Sequence, residues 1–197
     1  VAVIAGIFTL TDTGNVFLGI FPKYIDILIT VCLWVWIINL TNFMDGIDGI
    51  TAVETISICL GIIGVIIFSN YVLNSNIFSE NFQILAICLI TAASMIGFIF
   101  WNWHPAKIFL GDAGSVPLGF LLGWILFEII NKGFWHAALI IPLYYTMDST
   151  ITLIKRLLNR ENILKAHRKH FYQQANEKNF SHSFISSTIL CLNLFLI

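Results

Sequence analysis

Charge is what this sequence has least of. Asp, Glu, Lys and Arg together make up 11% of its 197 residues, less than half of the ~25% found in a typical soluble domain. That shortage excludes a disordered chain, a nucleic-acid-binding domain and an ordinary soluble domain. Cysteine is sparse too: Cys32, Cys59, Cys88 and Cys191 sit singly inside apolar runs. With no CxxC or Cys…His spacing, they exclude a zinc or redox motif and a disulfide framework, and they read as small buried hydrophobes. No initiating Met and no basic flank of a signal peptide precede the first apolar run. Val1 and Ile197 both stand within apolar runs, so the expectation is a piece of a longer membrane protein.

What is abundant is apolar residues, 58% of the chain, gathered in runs long enough to cross a bilayer. A spanning helix needs about 20 such residues. Complete spans are expected near 24–42, 52–73, 82–101, 115–131 and 134–154, with partial ones at 1–11 and from Phe184 onward. The predicted fold class is therefore all-α, a polytopic transmembrane helix bundle of five complete and two partial spans. It forms a single integral membrane domain over 1–197.

Orientation follows from the few charges. Of ten Lys and Arg residues, seven lie within 155–178, which places that segment in the cytoplasm. Counting spans backwards puts the loops near 43–51 and 102–114 on the same side as the loop near 155–183. All three polar clusters of the sequence fall in these loops.

The first cluster is Asn39-Leu-Thr-Asn42-Phe-Met-Asp45-Gly46-Ile-Asp48-Gly49. Its polar residues recur every third position, which on a helical end stacks two amides and two carboxylates on nearly one face. A capped polar helix terminus is the plainer alternative. The second runs from Trp101 and Asn102 through His104, Lys107 and Asp112 to Ser115. Gly111 and Gly114 flank Asp112, so its carboxylate can project from a tight turn and suit Mg²⁺, which prefers oxygen ligands. An ordinary capped turn with a snorkelling lysine explains the same residues.

The third cluster is Ala166-His167-Arg168-Lys169-His170-Phe171-Tyr172-Gln173. Its donors can bind a diphosphate by charge and hydrogen bonds. A topology-setting basic loop on anionic lipid is the alternative, and it accounts for Lys155, Arg156 and Arg160. His167 and His170 lack the further ligands that zinc needs. Asp148 and Glu54 are costly in lipid and should face the bundle interior, whereas Asp26 and Glu128 read as solvated span ends. Carboxylates for a divalent ion, cations for phosphate and amides for a head group, all at the edge of lipid, suit a reaction between a soluble phosphorylated donor and a lipid-bound phosphate.

These motifs resemble the polyprenyl-phosphate N-acetylhexosamine-1-phosphate transferases, glycosyltransferase family 4. The matching patterns are NxxNxxDGxDG at Asn39–Gly49, NxxPAKIFxGDxGSxxLG at Asn102–Gly119, and the His-containing loop near His170. The resemblance implies transfer of an N-acetylhexosamine 1-phosphate from a UDP-sugar to undecaprenyl phosphate, with release of UMP. It implies Mg²⁺ as cofactor, with Mn²⁺ as the alternative. By the same resemblance, Asp112 ligates the metal with Asn42 beside it, and Asp45 and Asp48 line the nucleotide-sugar site. Asn39, Asn102, Lys107, His167 and Lys169 contact substrate, and His170 and Arg168 hold the diphosphate or sugar. Asp45, Asp48, Asp112 and His170 form the catalytic set.

The implied partners are a UDP-N-acetylhexosamine, undecaprenyl phosphate and membrane lipid, with room for a homodimer and none for nucleic acid. The implied location is the bacterial inner membrane, multi-pass, with the active face cytoplasmic.

Two departures stand out. Many members carry HxHH where this chain has His170-Phe171-Tyr172-Gln173, a form similar to the enzymes that start O-antigen synthesis on modified amino sugars. The family's adjacent aspartate pair is absent, since no Asp-Asp occurs in the sequence. The expectation is therefore a C-terminal part of a longer transferase, inactive by itself. A cation-coupled transporter or channel subunit is the competing reading, with Asp148, Glu54 and the paired aspartates along an ion path. Acids grouped on one face, rather than spread through the bilayer depth, weigh against it, as does the lack of repeats.

Overall fold

A computed structural model describes residues 16–17, 20–73, 81–162, 165 and 167–197. The partial span at 1–11 and residue Ala166 of the third cluster lie outside them. Among the described residues every regular element is a helix. Four are long and apolar enough to cross a membrane: α1 (Lys23–Met44), α2 (Ile50–Leu73), α3 (Phe82–Asn102) and α4 (Gly111–Asn131). At 1.5 Å per residue, the 21 residues of α4 extend ~31 Å, the thickness of a hydrocarbon core. The chain is a multi-pass helical membrane protein. The first three helices lie close to their expected bounds. The fourth begins at Gly111 instead of near 115, which puts Asp112 in its first turn.

The apolar run at 134–154 is not one continuous helix. It divides into α5 (Trp135–Ile140) and α6 (Leu143–Leu158), because Pro142 has no N–H to continue the α5 ladder. The helix restarts behind it, with Thr146 N–H donating to Pro142 O at 3.0 Å. This shift carries α6 beyond the expected end, and Lys155 and Arg156 occupy its last turn, where cations favour the helix dipole. Two shorter helices follow, α7 (Phe171–Glu177) and α8 (His182–Leu196). The Ser181 hydroxyl caps α8 by accepting the Phe184 N–H at 3.2 Å.

Helices apolar on all sides need shape to choose neighbours, because lipid offers no hydrophobic gradient between them. The α1–α4 seam shows how. Gly119 and Gly123 form a GxxxG face. A Cβ on Gly119 would lie 2.9 Å from the Ile38 backbone, and one on Gly123 would lie 2.5 Å from the Trp34 ring. Into that gap Trp34 lays its indole, stacked on Phe120 at 4.8 Å, and its Nε1–H donates to Phe120 O at 3.0 Å. Gly119→Val is therefore expected to lower stability by ~1–3 kcal/mol, read as earlier thermal unfolding in detergent. Gly97→Val, with nothing within 4 Å of its added Cβ, should melt like the parent. Equal melting of the two variants would refute this account of the seam.

Elsewhere α2 packs on α3 and α8 packs on α2, around Ile62, Ile66, Cys88, Ile125 and Ile129, all buried. Phe68, Ile90 and Phe100 are turned outward and exposed, as a lipid-facing surface requires. Cys59 and Cys88 are buried as expected, but Cys32 and Cys191 are exposed, being on outward faces of their helices.

Glu54 does face the interior: it is fully buried and accepts the Asn193 Nδ2–H of α8 at 2.6 Å. Asp26 is not the solvated span end expected of it. It is 2% exposed and accepts the backbone N–H groups of Val16 and Phe17 at 3.1 and 3.0 Å, because those amides have no helical partner of their own. Glu128 is half-buried. A second apolar cluster, with Met44, Ile50, Val53, Tyr145, Tyr172 and Ile185, lies under the polar loops and fixes their height.

Candidate active site

Helix α1 stops at Met44, and the Asp45 N–H turns back to Asn42 O at 3.3 Å. Asn39 and Asn42 therefore remain helical while Asp45 and Asp48 leave the helix, so the four do not stack on one face. Asn39 is exposed and gives its Nδ2–H to Val35 O of its own helix at 2.8 Å. Asn42 reaches across to α4, where its Nδ2 donates to Asp112 Oδ1 at 2.8 Å and to Ser115 Oγ at 2.9 Å. Asp45 accepts from Thr51 Oγ1 at 2.8 Å, and Thr51 accepts from Tyr145 Oη at 3.2 Å. Asp48 turns toward the loop after α3. Its Oδ2 lies 2.7 Å from His104 Nδ1, accepts the Ala106 N–H at 3.2 Å and lies 3.3 Å from His182 Nδ1.

Asn102 ties the first two loops together from a buried position. Its Oδ1 accepts the Gly49 N–H at 2.9 Å, and its Nδ2 donates to Ile108 O at 2.9 Å. Gly49 meets it at φ +80°, with Trp103 3.1 Å from any added Cβ, so both the backbone angle and the space call for glycine. Lys107 is exposed, its Nζ 5.6 Å above the Trp101 ring. Asp112 is exposed in the first turn of α4.

The third segment is anchored by two buried groups. Arg156 donates to the carbonyls of Asn162 and Lys165 at 2.5 and 3.0 Å. Asp148, 1% exposed, accepts the N–H groups of Phe171 and Tyr172 that open α7, at 3.0 and 3.4 Å, and lies 3.1 Å from His170 Nδ1. His170 is thus buried and oriented through Nδ1, which leaves Nε2 for other partners. Lys169 is engaged with Glu161 at 2.5 Å, a contact that holds the Glu161 carboxyl below its usual range. The His167 ring stacks on His170 at 5.0 Å. Arg168 is exposed and lines a cavity of about 270 Å³ with Gly46, Gln173 and His182. The Tyr172 hydroxyl donates to Phe43 O at 3.0 Å. It would collide with any Cβ on Gly46, so the turn after α1 and helix α7 fit together only through that glycine.

Electrostatics separates the two loop carboxylates. Burial pushes the Asp45 carboxyl above its usual range. The Thr51 and Gly111 hydrogen bonds oppose that shift, and the nearby Asp112 charge adds to it. Burial also acts on Asp48, but the hydrogen bonds of His104, the Ala106 N–H and His182 outweigh it and hold this carboxyl low. Because folding raises the Asp45 pKa, its charged form costs the native state stability above the carboxylate range. Asp45→Asn is expected to raise the melting temperature in chelator at about pH 7, and the gain should shrink as the pH falls through the carboxylate range, where wild-type Asp45 takes up its proton. A variant that melts lower at neutral pH would contradict this.

Asp112, Asp45, the Asn42 Oδ1 and Ser115 Oγ form a set of hard oxygen donors in which two carboxylates repel each other. That donor chemistry fits Mg²⁺. Asn42 as placed orients Asp112 through its Nδ2, and its Oδ1 is the atom it has left for a cation.

The family profile described as glycosyl transferase family 4 matches residues 1–130. The chain belongs to glycosyl transferase family 4. A probable undecaprenyl-phosphate N-acetylglucosaminyl 1-phosphate transferase of Bacillus subtilis (strain 168) is 31% identical over 158 residues, covering 78% of this chain and 41% of that protein. Phospho-N-acetylmuramoyl-pentapeptide-transferases of Aliarcobacter butzleri and Sulfurimonas denitrificans are 34% and 38% identical over 118 and 112 residues. These alignments cover 53% and 52% of this chain, and 32% and 31% of the relatives. The chain thus spans between about a third and two fifths of the curated relatives it matches.

Within this family 4 chain, the structure joins the first two clusters directly, through Asn42–Asp112, Asp48–His104 and Gly49–Asn102. The third reaches the first through the Tyr172–Phe43 bond and the shared cavity. Among the described residues, Asn39 and Lys107 make no such link. Sequence reading missed Thr51 and His182, and it named Ser115 only as a neighbour of Asp112. No spacing rule finds them, because each meets its partner only through the fold. It named Asp148 and His104 without their roles.

Proposed function

We propose that the whole protein transfers an N-acetylhexosamine 1-phosphate from a UDP-sugar to undecaprenyl phosphate, releasing UMP. The reaction takes place at the cytoplasmic face of a bacterial inner membrane, as the first membrane step of cell-surface polysaccharide synthesis. The observation that carries this reading is the Asn42–Asp112 pair, which sets an oxygen-donor site at the membrane-edge end of a family 4 bundle. Asp112, Asp45 and Asn42 would hold Mg²⁺ there, and the ion would supply neutralisation of the diphosphate charge. Phosphoryl transfer depends mainly on positioning and charge stabilisation, and this chain's own groups are suited to both. Asp112 and Asn42 hold the donor end, and Arg168, exposed on the cavity beside Gly46, meets the phosphates, with buried His170 as a further donor. Asn102 keeps the two loops in register. The His170-Phe-Tyr-Gln form favours a modified amino sugar of the O-antigen type as donor.

The test is UMP release by the natural gene product in detergent, with undecaprenyl phosphate, Mg²⁺ and a panel of UDP-N-acetylhexosamines. Release with one donor and not the others names the sugar. No release from any donor, with no Mg²⁺-dependent binding of a UDP-sugar to this chain, would sink the proposal.

A further inference from the structure

A second cluster of ligating atoms lies beside the Asp112 site and differs from it in chemistry. Asp48 Oδ2, His104 Nδ1 and His182 Nδ1 all lie within 4.8 Å of one another. They come from the turn between α1 and α2, the turn after α3 and the first residue of α8. Two imidazole nitrogens converge on one carboxylate oxygen, at 2.7 and 3.3 Å. The rings stand edge to face with centroids 5.0 Å apart.

The Asp48 N–H also points at His182 Nδ1, at 3.5 Å. A nitrogen approached by an N–H presents a lone pair there, not a proton. The same nitrogen faces the carboxylate, so hydrogen bonding alone leaves one of its two contacts unfavourable. A cation between the ring and the carboxylate uses both the lone pair and the charge.

We propose that Asp48, His104 and His182 bind a divalent transition ion of the Zn²⁺ class, at a site separate from the oxygen-donor site at Asp112. Two imidazoles with one carboxylate suit zinc and its neighbours, whereas Mg²⁺ and Ca²⁺ prefer oxygen alone. In a tetrahedral zinc site neighbouring ligand atoms stand ~3.3 Å apart. The contacts at 2.7 and 3.3 Å therefore need ~0.6 Å of lengthening at the shorter one, and the two Nδ1 atoms, within 4.8 Å of each other, close on the ion by rotation of the half-exposed His104 ring. The protein supplies three ligands and leaves a fourth position open. Water reaches it, since the side chains of His104 and His182 are 41% and 25% exposed, and His182 borders the cavity shared with Arg168 and Gln173. The ion fastens three segments that the sequence separates widely, and it needs no activity of the protein to be detected.

The test is titration of the purified, chelator-stripped chain in detergent, with Zn²⁺ followed by calorimetry and Co²⁺ by its visible ligand-field absorption. The expected result is one Zn²⁺ per chain. His104→Asn and His182→Asn should each weaken it at least about tenfold and remove the Co²⁺ bands, with helical circular dichroism unchanged. Asp112→Asn and His167→Asn should leave both signals intact. His104 is half-exposed, so its variant keeps the test clear of folding defects. No stoichiometric Zn²⁺ binding by the parent would overturn the proposal. So would binding that survives both His variants, or binding lost with Asp112→Asn or His167→Asn instead.

Discussion

Asp112→Ala is expected to abolish Mg²⁺-dependent UDP-sugar binding and to cut UMP release by at least about 10²–10³-fold, the loss typical of a single electrostatic group at developing charge. The fold should survive. Asp112 is exposed on the first turn of α4, and its side chain accepts the Asn42 amide. Melting in chelator should therefore match the parent or rise slightly, because the charge that opposes Asp45 is gone. Asn42→Ala should cost less, about 10–100-fold, the range found when a group that orients a ligand is removed. The two variants together separate a ligand from its support. If Asp112→Ala turns over normally while binding UDP-sugar in a Mg²⁺-dependent way, Asp112 does not hold the metal. Equal losses with equal destabilisation would instead make Asn42–Asp112 a packing contact between α1 and α4.

Much of this site could be read in the sequence because it rests on local pattern. Hydrophobic runs place α1 to α3 closely, since twenty apolar residues have one stable form in a bilayer. The Asp-Gly-Ile-Asp-Gly and Gly-Asp-Ala-Gly-Ser stretches announce polar turns, and the structure sets those turns side by side. What the sequence hid was pairing. Nothing in the spacing of Asn42 tells that it leaves Asp45, three residues on, and bonds to Asp112 in another helix. Asp26 and Asp148 show the same limit: a lone acid in an apolar run reads as a span end or an interior group. Each proves to be an acceptor for backbone N–H groups of a segment that cannot satisfy them itself. The run at 134–154 hid its break for a different reason. Its apolar content is that of an unbroken helix, but Pro142 acts on backbone hydrogen bonds, which hydropathy does not see.

Asp148→Ala is expected to be the most destabilising single change in the polar half of the molecule. Its carboxylate is 1% exposed and takes donors from three directions. They are the Phe171 and Tyr172 N–H groups of α7, His170 Nδ1, and the Thr152 and Tyr144 hydroxyls of its own helix. Removing it leaves the first turn of α7 and a buried imidazole without their acceptor, a loss of several kcal/mol at ~1–3 kcal/mol for each buried donor left unpaired. Asp148→Asn keeps one acceptor oxygen without the charge and should lose ~1–3 kcal/mol. The effect should reach the nucleotide end without any change there, because Tyr172 is the link: its hydroxyl holds Phe43 O, next to Asp45. Asp148→Ala should therefore weaken UDP-sugar binding even though Asp112 and Asn42 are intact. Tyr172→Phe should remove part of the same coupling, so the double variant should lose less than the sum of the two singles. Thermal unfolding and UDP-sugar titration on the four proteins of that cycle check the argument. Strict additivity would show that α7 and the turn after α1 are held independently, and Asp148 would then be only a helix cap.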